Sequence, residues 1–235
     1  MRKKISIIIP VLNESAGINN TIEHLNGLIT STGASAEIIV VDGDPEGKTI
    51  AAVQDQSVIT VVGKTGRAGQ MNKGASLARG DIFLFLHADT RLPDESLKLV
   101  AAACARQARG AGAFDLAIAS ERRIFRLIET MANFRSHLTK IPYGDQALFF
   151  TAGYFRALGG FADVPVMEDV EIMRRVKKRG NKIVFLQQAV RTSPRRWEKE
   201  GIWKCTFRNW LLASLYVFGV APQRLAKFYR IHAAG

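Results

Sequence analysis

The run ISIIIP at residues 5–10 begins the pattern that decides the fold. Further short apolar runs follow it and alternate with stretches of helical length that Gly or Asp residues punctuate. The predicted strands are Ile5–Pro10, Glu37–Val41, Val58–Val62 and Asp81–Leu86, and the predicted helices are Ala16–Thr30, Gly47–Gln54 and Arg67–Ala78. Strands that are apolar throughout are typical of a sheet covered on both faces. The alternation therefore predicts an α/β fold, with a mostly parallel central sheet flanked by helices.

The second half of the chain has a less regular pattern. Its predicted strands are Gly112–Ala119, Ala147–Thr151 and Ile183–Leu186, and its predicted helices are Arg122–His137 and Met167–Arg179. No linker or internal repeat separates the halves, and 235 residues suit one α/β domain better than two. We therefore expect a single domain over residues 1–200, whose halves 1–110 and 111–200 share one sheet, followed by a tail over 201–235.

The composition excludes a largely disordered chain and gives the protein a strong positive charge. Hydrophobic residues make up 47% of the sequence and the formal net charge is +12. The last 45 residues, from Arg191 onward, hold nine Lys or Arg against two Asp or Glu. Such a surface attracts nucleic acid, anionic lipid or a phosphate-bearing substrate, and the sign of the charge alone does not choose among them.

The cysteines and the N-terminus favour a cytoplasmic protein. Cys104 and Cys205 lie far apart and form no redox or metal motif, which points to a reducing compartment. The first residues, MRKK followed by an apolar run, look like a secretion signal at first sight. That run ends at Pro10, and no small-residue cleavage site follows it. We expect a buried first strand instead.

The tail contains an apolar run over Trp210–Ala221. Twelve residues are too few to cross a bilayer, which needs about 20. Basic residues flank the run, namely Lys204, Arg208, Arg224, Lys227 and Arg230. The pattern fits an amphipathic helix docked on the domain, which we favour. It also fits a helix on an anionic membrane surface, at the inner face of the membrane, and the two are compatible.

Polar side chains follow the predicted strands where each strand ends. They are Asn13 and Glu14 after the first strand, Asp42 after the second, and His87 and Asp89 after the fourth. Because ligands of open parallel sheets collect at the carboxyl ends of the strands, this group predicts a binding crevice. Each residue alone is explained equally well as a helix cap or a turn residue. Asp89 offers the oxygen ligand that Mg²⁺ or Mn²⁺ prefers, in company with substrate phosphates.

The segment Gly63–Gly80 is rich in glycine and contains basic residues. GKT at 63–65 and at 47–49 suggests a phosphate loop, but the earlier glycine of that motif is missing, which excludes it. A glycine-rich helix start that carries Arg67 still predicts contact with phosphates through backbone N–H groups.

Three later segments are candidates for acceptor chemistry. Glu168 and Asp169 open a helix, where acids also complement the helix dipole, and Asp169 is the candidate general base. Asp145 and Gln146 offer polar groups that suit an acceptor or a simple turn. Arg196-Trp197 suits a sugar or phosphate, and equally a docked tail.

Taken together, these segments resemble the family 2 glycosyltransferases of the GT-A fold. The resemblance spans roughly residues 5 to 200 and rests on five ordered motifs. The motifs are SIIIPVLNE at 6–14, VVDG at 40–43, GRAGQMNKG at 66–74, LHADT at 86–90 and MED at 167–169. The closest likeness is to small single-domain bacterial members.

The resemblance implies roles for named residues. It implies a nucleotide-sugar contact for Pro10, Val11, Asn13, Glu14, Asp42, Gly66, Arg67, Gln70, Asn72, His87 and Ala88. Asp89 corresponds to the metal-binding acid, with His87 where the family has another Asp, so both are candidate ligands of Mg²⁺ or Mn²⁺. Glu168 and Asp169 match the catalytic pair, and Asp145, Gln146, Arg196 and Trp197 are the expected acceptor-binding residues.

The resemblance also implies the reaction, which is inverting transfer of a sugar from a nucleotide-diphosphate donor, commonly UDP. The acceptor is expected to be lipid-linked or a small molecule. Ser193 stands where processive synthases have Gln, so we expect non-processive transfer. A nucleotidyltransferase that makes nucleotide sugars is the first alternative. A non-catalytic basic protein is the second, although the sequence lacks interleaved aromatic motifs for single strands and we expect no nucleic-acid partner.

Overall fold

A curled, mostly parallel sheet forms the centre of the computed structural model, which describes residues 3–106 and 110–228. Its strands are β1 Ile5–Val11, β2 Ala36–Asp42, β3 Ile59–Val62, β4 Ile82–Phe85, β5 Thr90–Arg91, β6 Ala111–Ile118, β7 Phe149–Thr151 and β8 Ile183–Thr192. Their order across the sheet is β3-β2-β1-β4-β7-β6-β8-β5. Residues 1–2, 107–109 and 229–235 lie outside the described residues, and they include Arg230, one of the basic residues that flank the apolar run of the tail.

Helices cover both faces of the sheet. They are α1 Ile18–Thr32, α2 Lys48–Ala51, α3 Arg67–Leu77, α4 Ser96–Ala105, α5 Arg123–Thr139, α6 Ala152–Leu158, α7 Glu168–Lys178, α8 Arg195–Glu200, α9 Ile202–Val217 and α10 Pro222–Ala226. A 3-10 turn occupies Gly144–Gln146. One apolar core lies between the sheet and α1 and α4, and another lies between the sheet and α3, α6 and α7.

The direction of the strands follows the sequence pattern in the first half. β1 pairs in parallel with both β2 and β4, and β2 pairs in parallel with β3. Within β1, Ile7 and Ile9 point into one core and Ile8 into the other, so both faces of the strand are buried. This burial explains why the strand is apolar throughout, and the α/β prediction is confirmed.

The sheet continues into the second half through β7. This short strand is antiparallel to both β4 and β6, while β6 is parallel to β8 and β5 is antiparallel to β8. The carboxyl ends of β1, β2 and β4 therefore face segments that come from the second half. Across residues 3–106 and 110–228, no helix is both long and apolar enough for a bilayer crossing.

Several predicted boundaries are wrong. The last strand does not end at Leu186 but continues to Thr192, past the exposed pair Gln187 and Gln188, where pairing with β6 shifts at a bulge. The helix predicted over Gly47–Gln54 is only Lys48–Ala51, and the tail helix begins at Ile202 rather than near Trp210. The helices α4, α6 and α8 and the two-residue strand β5 were not predicted.

Candidate active site

The site lies where the carboxyl ends of the parallel strands meet two segments of the second half. We call the ends of β1 and β2 and the start of α3 the N-terminal edge, and the 3-10 turn and the start of α7 the C-terminal edge. A small cavity of about 10 Å³ lies where the end of β4 meets the C-terminal edge. Side chains that line it include Met71, Phe85, His87, Leu148, Glu168 and Asp169.

Asp169 is held in place by backbone N–H groups. Its Oδ2 accepts a hydrogen bond of 2.6 Å from the N–H of Gly144, and its Oδ1 accepts one of 2.7 Å from Val170. A Cβ at position 144 would lie 3.3 Å from Asp169 Oδ2 and 3.4 Å from His87 Nε2. Glycine at this position therefore lets the imidazole and the carboxylate approach the same turn.

Glu168 sits deeper than Asp169 in the first turn of α7. Its pKa is raised to about 7, mainly because the side chain is buried and secondly because Asp169 is negatively charged. Arg67 at the start of α3 opposes this shift. Met167, directly before the pair, has φ of 67°, a strained value for a non-glycine residue that often marks functional sites. Since Glu168 is buried and Asp169 is half-buried, Asp169 is the better placed to meet a ligand.

Asp145 shares the electrostatic environment of this site. Its pKa is raised to about 6, mainly by burial, and the negative charges of Asp169 and Asp89 contribute to this increase. The positive charges of Arg135 and Arg67 act in the opposite direction. Charges from the segment after β4 and from α3, α5 and α7 thus act on the same carboxyl group.

His87 is neutral at physiological pH. Its pKa is lowered to about 3, first by burial and then by the positive charges of Arg67 and Arg196. A neutral imidazole can bind a metal ion, whereas a protonated one cannot. Asp89, two residues further along the chain, is exposed. The pKa of Arg195 is raised mainly by its 2.6 Å ion pair with Glu14, and the negative charge of Asp89 adds to this effect.

The donor set for a divalent cation is small. Within residues 3–106 and 110–228, no group of three or more His, Cys, Asp or Glu side chains is placed to hold a metal ion. Asp89 and His87 offer one carboxylate and one imidazole beyond the end of β4. This pair fits an ion that completes its shell with water and substrate phosphates, as Mg²⁺ commonly does.

At the N-terminal edge, two residues predicted to contact the nucleotide have side chains that bond to the protein backbone. Asp42 is fully buried, and its carboxylate accepts N–H bonds from Asp44 (3.0 Å), Thr49 (2.8 Å) and Ile50 (3.2 Å). Gln70 Nε2 donates to the carbonyls of Val11 at 2.7 Å and Val41 at 2.8 Å, which joins β1 to β2. These side chains shape the surface from behind it, and their predicted contacts with the nucleotide stay predictions.

Asn72 is a similar case. Its side-chain amide donates to the carbonyl of Phe161 at 2.8 Å, and its carbonyl accepts the Phe161 N–H at 2.9 Å. The pair of bonds fastens the turn before α7 to α3. Asn72 therefore positions the C-terminal edge, and its predicted contact with the nucleotide stays a prediction.

The other residues predicted to contact the nucleotide are exposed or half-buried, except Val11, which is 2% exposed. Asn13 is exposed, and its φ is 57°. Gly66 precedes α3 with φ of 120°, a backbone conformation that residues other than glycine rarely adopt. Arg67 is exposed, Pro10 is half-buried, and the carbonyl of Ala88 accepts a 2.6 Å bond from Thr21. Their predicted contacts stay predictions.

On the acceptor side, Gln146 and Trp197 both make contacts within the domain. Gln146 is buried; its Oε1 accepts bonds from Ser136 (2.6 Å) and Tyr143 N–H (3.1 Å), and its Nε2 donates to Phe114 (3.0 Å). These bonds hold the Gln146 side chain within the domain, and its predicted contact with the acceptor stays a prediction.

Trp197 packs edge-on against Phe125 at 5.9 Å and donates to Thr206 Oγ1 at 3.2 Å. It therefore anchors the tail, and its predicted contact with the acceptor stays a prediction. Arg196 faces the site, since its charge lowers the pKa of His87, and it also pairs with Glu200 at 3.4 Å.

A comparison with protein families identifies the family of this chain. The model of the family described as glycosyl transferase family 2 matches residues 6–158, which is more than half of the chain. The protein belongs to glycosyl transferase family 2. It is a glycosyltransferase, which favours the transferase over the nucleotidyltransferase and the non-catalytic alternatives. No curated protein matches the chain significantly.

Solved structures show the same fold as this family 2 chain. A mannosyltransferase, PcManGT from Pyrobaculum calidifontis in complex with GDP-Man and Mn²⁺, is 20% identical with a TM-score of 0.66, over 95% of this chain and 67% of that one. S. aureus TarS 1-349 is 19% identical with a TM-score of 0.62, and its complex with UDP-GlcNAc is 17% identical with 0.59. This chain is covered to 81% in both comparisons and spans only 61% and 58% of those structures. At these identities the likeness shows the fold alone, which is GT-A.

Sequence reasoning missed some residues of this glycosyltransferase cleft. The guanidinium of Arg135 lies 3.3 Å from the ring centroid of Tyr143, and burial raises the pKa of the Tyr143 hydroxyl. Arg135 comes from the middle of α5, so no local pattern connects it with the turn. Tyr143 lies directly before the segment that contains Asp145 and Gln146, so its only signal in the sequence was this neighbouring segment.

Proposed function

We propose that this protein is an inverting, non-processive glycosyltransferase that moves a sugar from a nucleotide diphosphate to a hydroxyl acceptor. UDP is the proposed nucleotide because it is the commonest in the family. The acceptor is lipid-linked or a small molecule. One observation carries the proposal: the Asp169 carboxylate is fixed by backbone N–H groups against Gly144, the same glycine that adjoins His87 beyond the end of β4.

The chemistry assigned to Asp169 is general-base catalysis. The acceptor hydroxyl attacks the anomeric carbon, Asp169 takes its proton, and the bond from that carbon to the diphosphate oxygen breaks. The electron pair of the broken bond leaves with the nucleotide diphosphate. Attack opposite to the leaving group inverts the anomeric centre. Glu168 is buried beside Asp169, so its role is to shape the electrostatics of the base rather than to meet the hydroxyl.

Negative charge that grows on the leaving diphosphate needs stabilisation on the other side of the sugar. Arg67 suits this task, because its charge reaches His87, Asp145 and Glu168 and it stands at the start of a helix. Asp89, with His87, is the proposed holder of Mg²⁺ or Mn²⁺, and the bound ion supplies further positive charge to the diphosphate. Arg196 adds a cation from α8.

The proposed function is tested with a panel of UDP- and GDP-sugars, each with Mg²⁺ or Mn²⁺. Since ligand binding raises apparent stability by mass action, the preferred donor raises the melting temperature. Nuclear magnetic resonance of the product formed from that donor is expected to show the inverted anomeric configuration. If no nucleotide sugar stabilises the protein, or if the product keeps the donor configuration, the proposal is wrong.

A further inference from the structure

Helix α9 is docked on the domain by one face only. Leu212 on its inner face packs against Val166 and Leu225, so the docked helix that we favoured from the sequence is present. Its opposite face, which we call the α9 outer face, consists of large exposed apolar side chains. They are Trp203, Phe207, Trp210, Leu211, Val217 and Phe218.

The spacing of these residues makes the outer face continuous. Trp203, Phe207 and Trp210 recur at the i, i+4, i+7 positions that share one side of a helix, and Val217 lies one heptad after Trp210. Large apolar patches of this kind mark interaction sites, because isolated exposed side chains are ordinary but contiguous ones are rare. Two tryptophans in the patch are typical of the boundary between lipid and water.

The charge around the outer face selects one kind of partner. The sequence from Gly201 to its last residue contains no Asp or Glu, whereas it contains five Lys or Arg residues. Lys204 is exposed in the first turn of α9, and Lys227 is exposed after α10. A second copy of this chain would bring the same positive charges to the contact, while an anionic lipid surface would neutralise them.

We propose that the α9 outer face binds the surface of an anionic lipid bilayer. Trp203, Phe207 and Trp210 lie among the head groups, and Lys204 and Lys227 face the lipid phosphates. The inner face of the same helix contacts Val166 and Met167, which directly precede Glu168. Binding by α9 therefore holds the catalytic cleft close to the lipid surface.

The experiment is co-sedimentation of the full chain with vesicles of phosphatidylcholine, with and without phosphatidylglycerol as about a third of the lipid. We expect the protein to bind the anionic vesicles, less strongly as salt is raised, and to bind the neutral ones at least about tenfold more weakly. The measurement contains no donor or acceptor, so its outcome is independent of the proposed catalytic function.

Two pairs of variants locate the binding face. Phe207→Ser is expected to weaken vesicle binding about tenfold or more, since a buried Phe ring contributes on that scale. Phe134→Ser is its matched control, because both rings are 68% exposed in the free protein. This variant should keep the affinity, since Phe134 lies on α5 and not on the α9 outer face. The double variant Lys204→Glu with Lys227→Glu should likewise lose vesicle binding. Its control is Lys178→Glu with Lys182→Glu, which makes the same charge change elsewhere on the surface and should retain most of the binding.

Three outcomes would overturn this inference. One is failure of the parent chain to sediment with anionic vesicles, and another is equal loss of binding in the Phe134→Ser and Phe207→Ser variants. The third is a concentration-dependent dimer that Phe207→Ser abolishes, without any vesicle binding, which would assign the outer face to a second copy of the chain. Circular dichroism checks that each variant is folded.

Discussion

The two edges of the cleft use their polar side chains in different ways. At the N-terminal edge, Asp42 and Gln70 are buried and bonded to backbone groups, so they fix the shape of the strand ends. At the C-terminal edge, Asp145 and Glu168 are acids whose pKa values burial raises, beside the half-buried Asp169. Perturbed acids concentrate where chemistry occurs. This difference supports our proposal that the N-terminal edge positions the strand ends and that proton transfer takes place at the C-terminal edge.

The largest expected effect on stability is at Asp42. Asp42→Ala leaves one buried and two part-buried N–H groups without their acceptor, which should lower the free energy of unfolding by about 2–4 kcal/mol. Urea denaturation measures this change. Asp44→Ala is the control, since that carboxylate accepts one exposed N–H bond, from Glu46. If Asp42→Ala loses donor affinity but no stability, the division between the two edges fails.

The next effect concerns the metal-dependent donor affinity. Asp89→Ala should weaken donor binding in the presence of Mn²⁺ by roughly 10- to 100-fold, because one of the two proposed protein ligands is removed. Calorimetry with and without Mn²⁺ measures the difference, and Asp94→Ala, another exposed acid shortly after it, is the control. Equal donor affinity in Asp89→Ala and the parent would contradict the role of Asp89.

A smaller effect depends on pH. The pKa of Glu168 is raised in the folded protein to about 7 from an ordinary 4.5, so its contribution to stability is present below pH 4.5 and is lost as the pH rises through 7. Glu168→Gln removes the ionisable group, so the variant does not lose this stability as the pH rises. The variant should therefore gain stability over the parent between pH 5 and pH 8, by on the order of 1–3 kcal/mol. Thermal unfolding across this range checks the gain, with Glu23→Gln on α1 as the exposed control. A stability difference that does not change with pH would contradict the raised pKa.

Much of the fold could be predicted because its strands are short and buried on both faces. Ile7, Ile8 and Ile9 carry that information locally, and so do the acids that follow the strands. Helix α4 was missed because its run LVAAACA has no clear polar face, and the end of β8 was missed because Gln187 and Gln188 interrupt the apolar pattern.

The parts of the site that could not be predicted depend on contacts between distant residues. Asn72 bonds to Phe161, 89 positions away, and Gln70 bonds to Val11, 59 positions away. A motif match identifies such residues as belonging to the site but does not distinguish a ligand contact from a hydrogen bond within the protein. The raised pKa of Glu168 likewise depends on burial that only the folded chain creates.

The most direct test compares turnover and donor binding in Asp169→Asn. Asparagine keeps the shape of the side chain but cannot take a proton, so we expect turnover to fall roughly 10²- to 10⁴-fold while the donor dissociation constant stays within about twofold. Glu168→Gln, the matched change at the neighbouring buried acid, should keep most of the turnover. Full turnover in Asp169→Asn, or a parallel loss of donor binding, would contradict the assignment of proton transfer to the C-terminal edge.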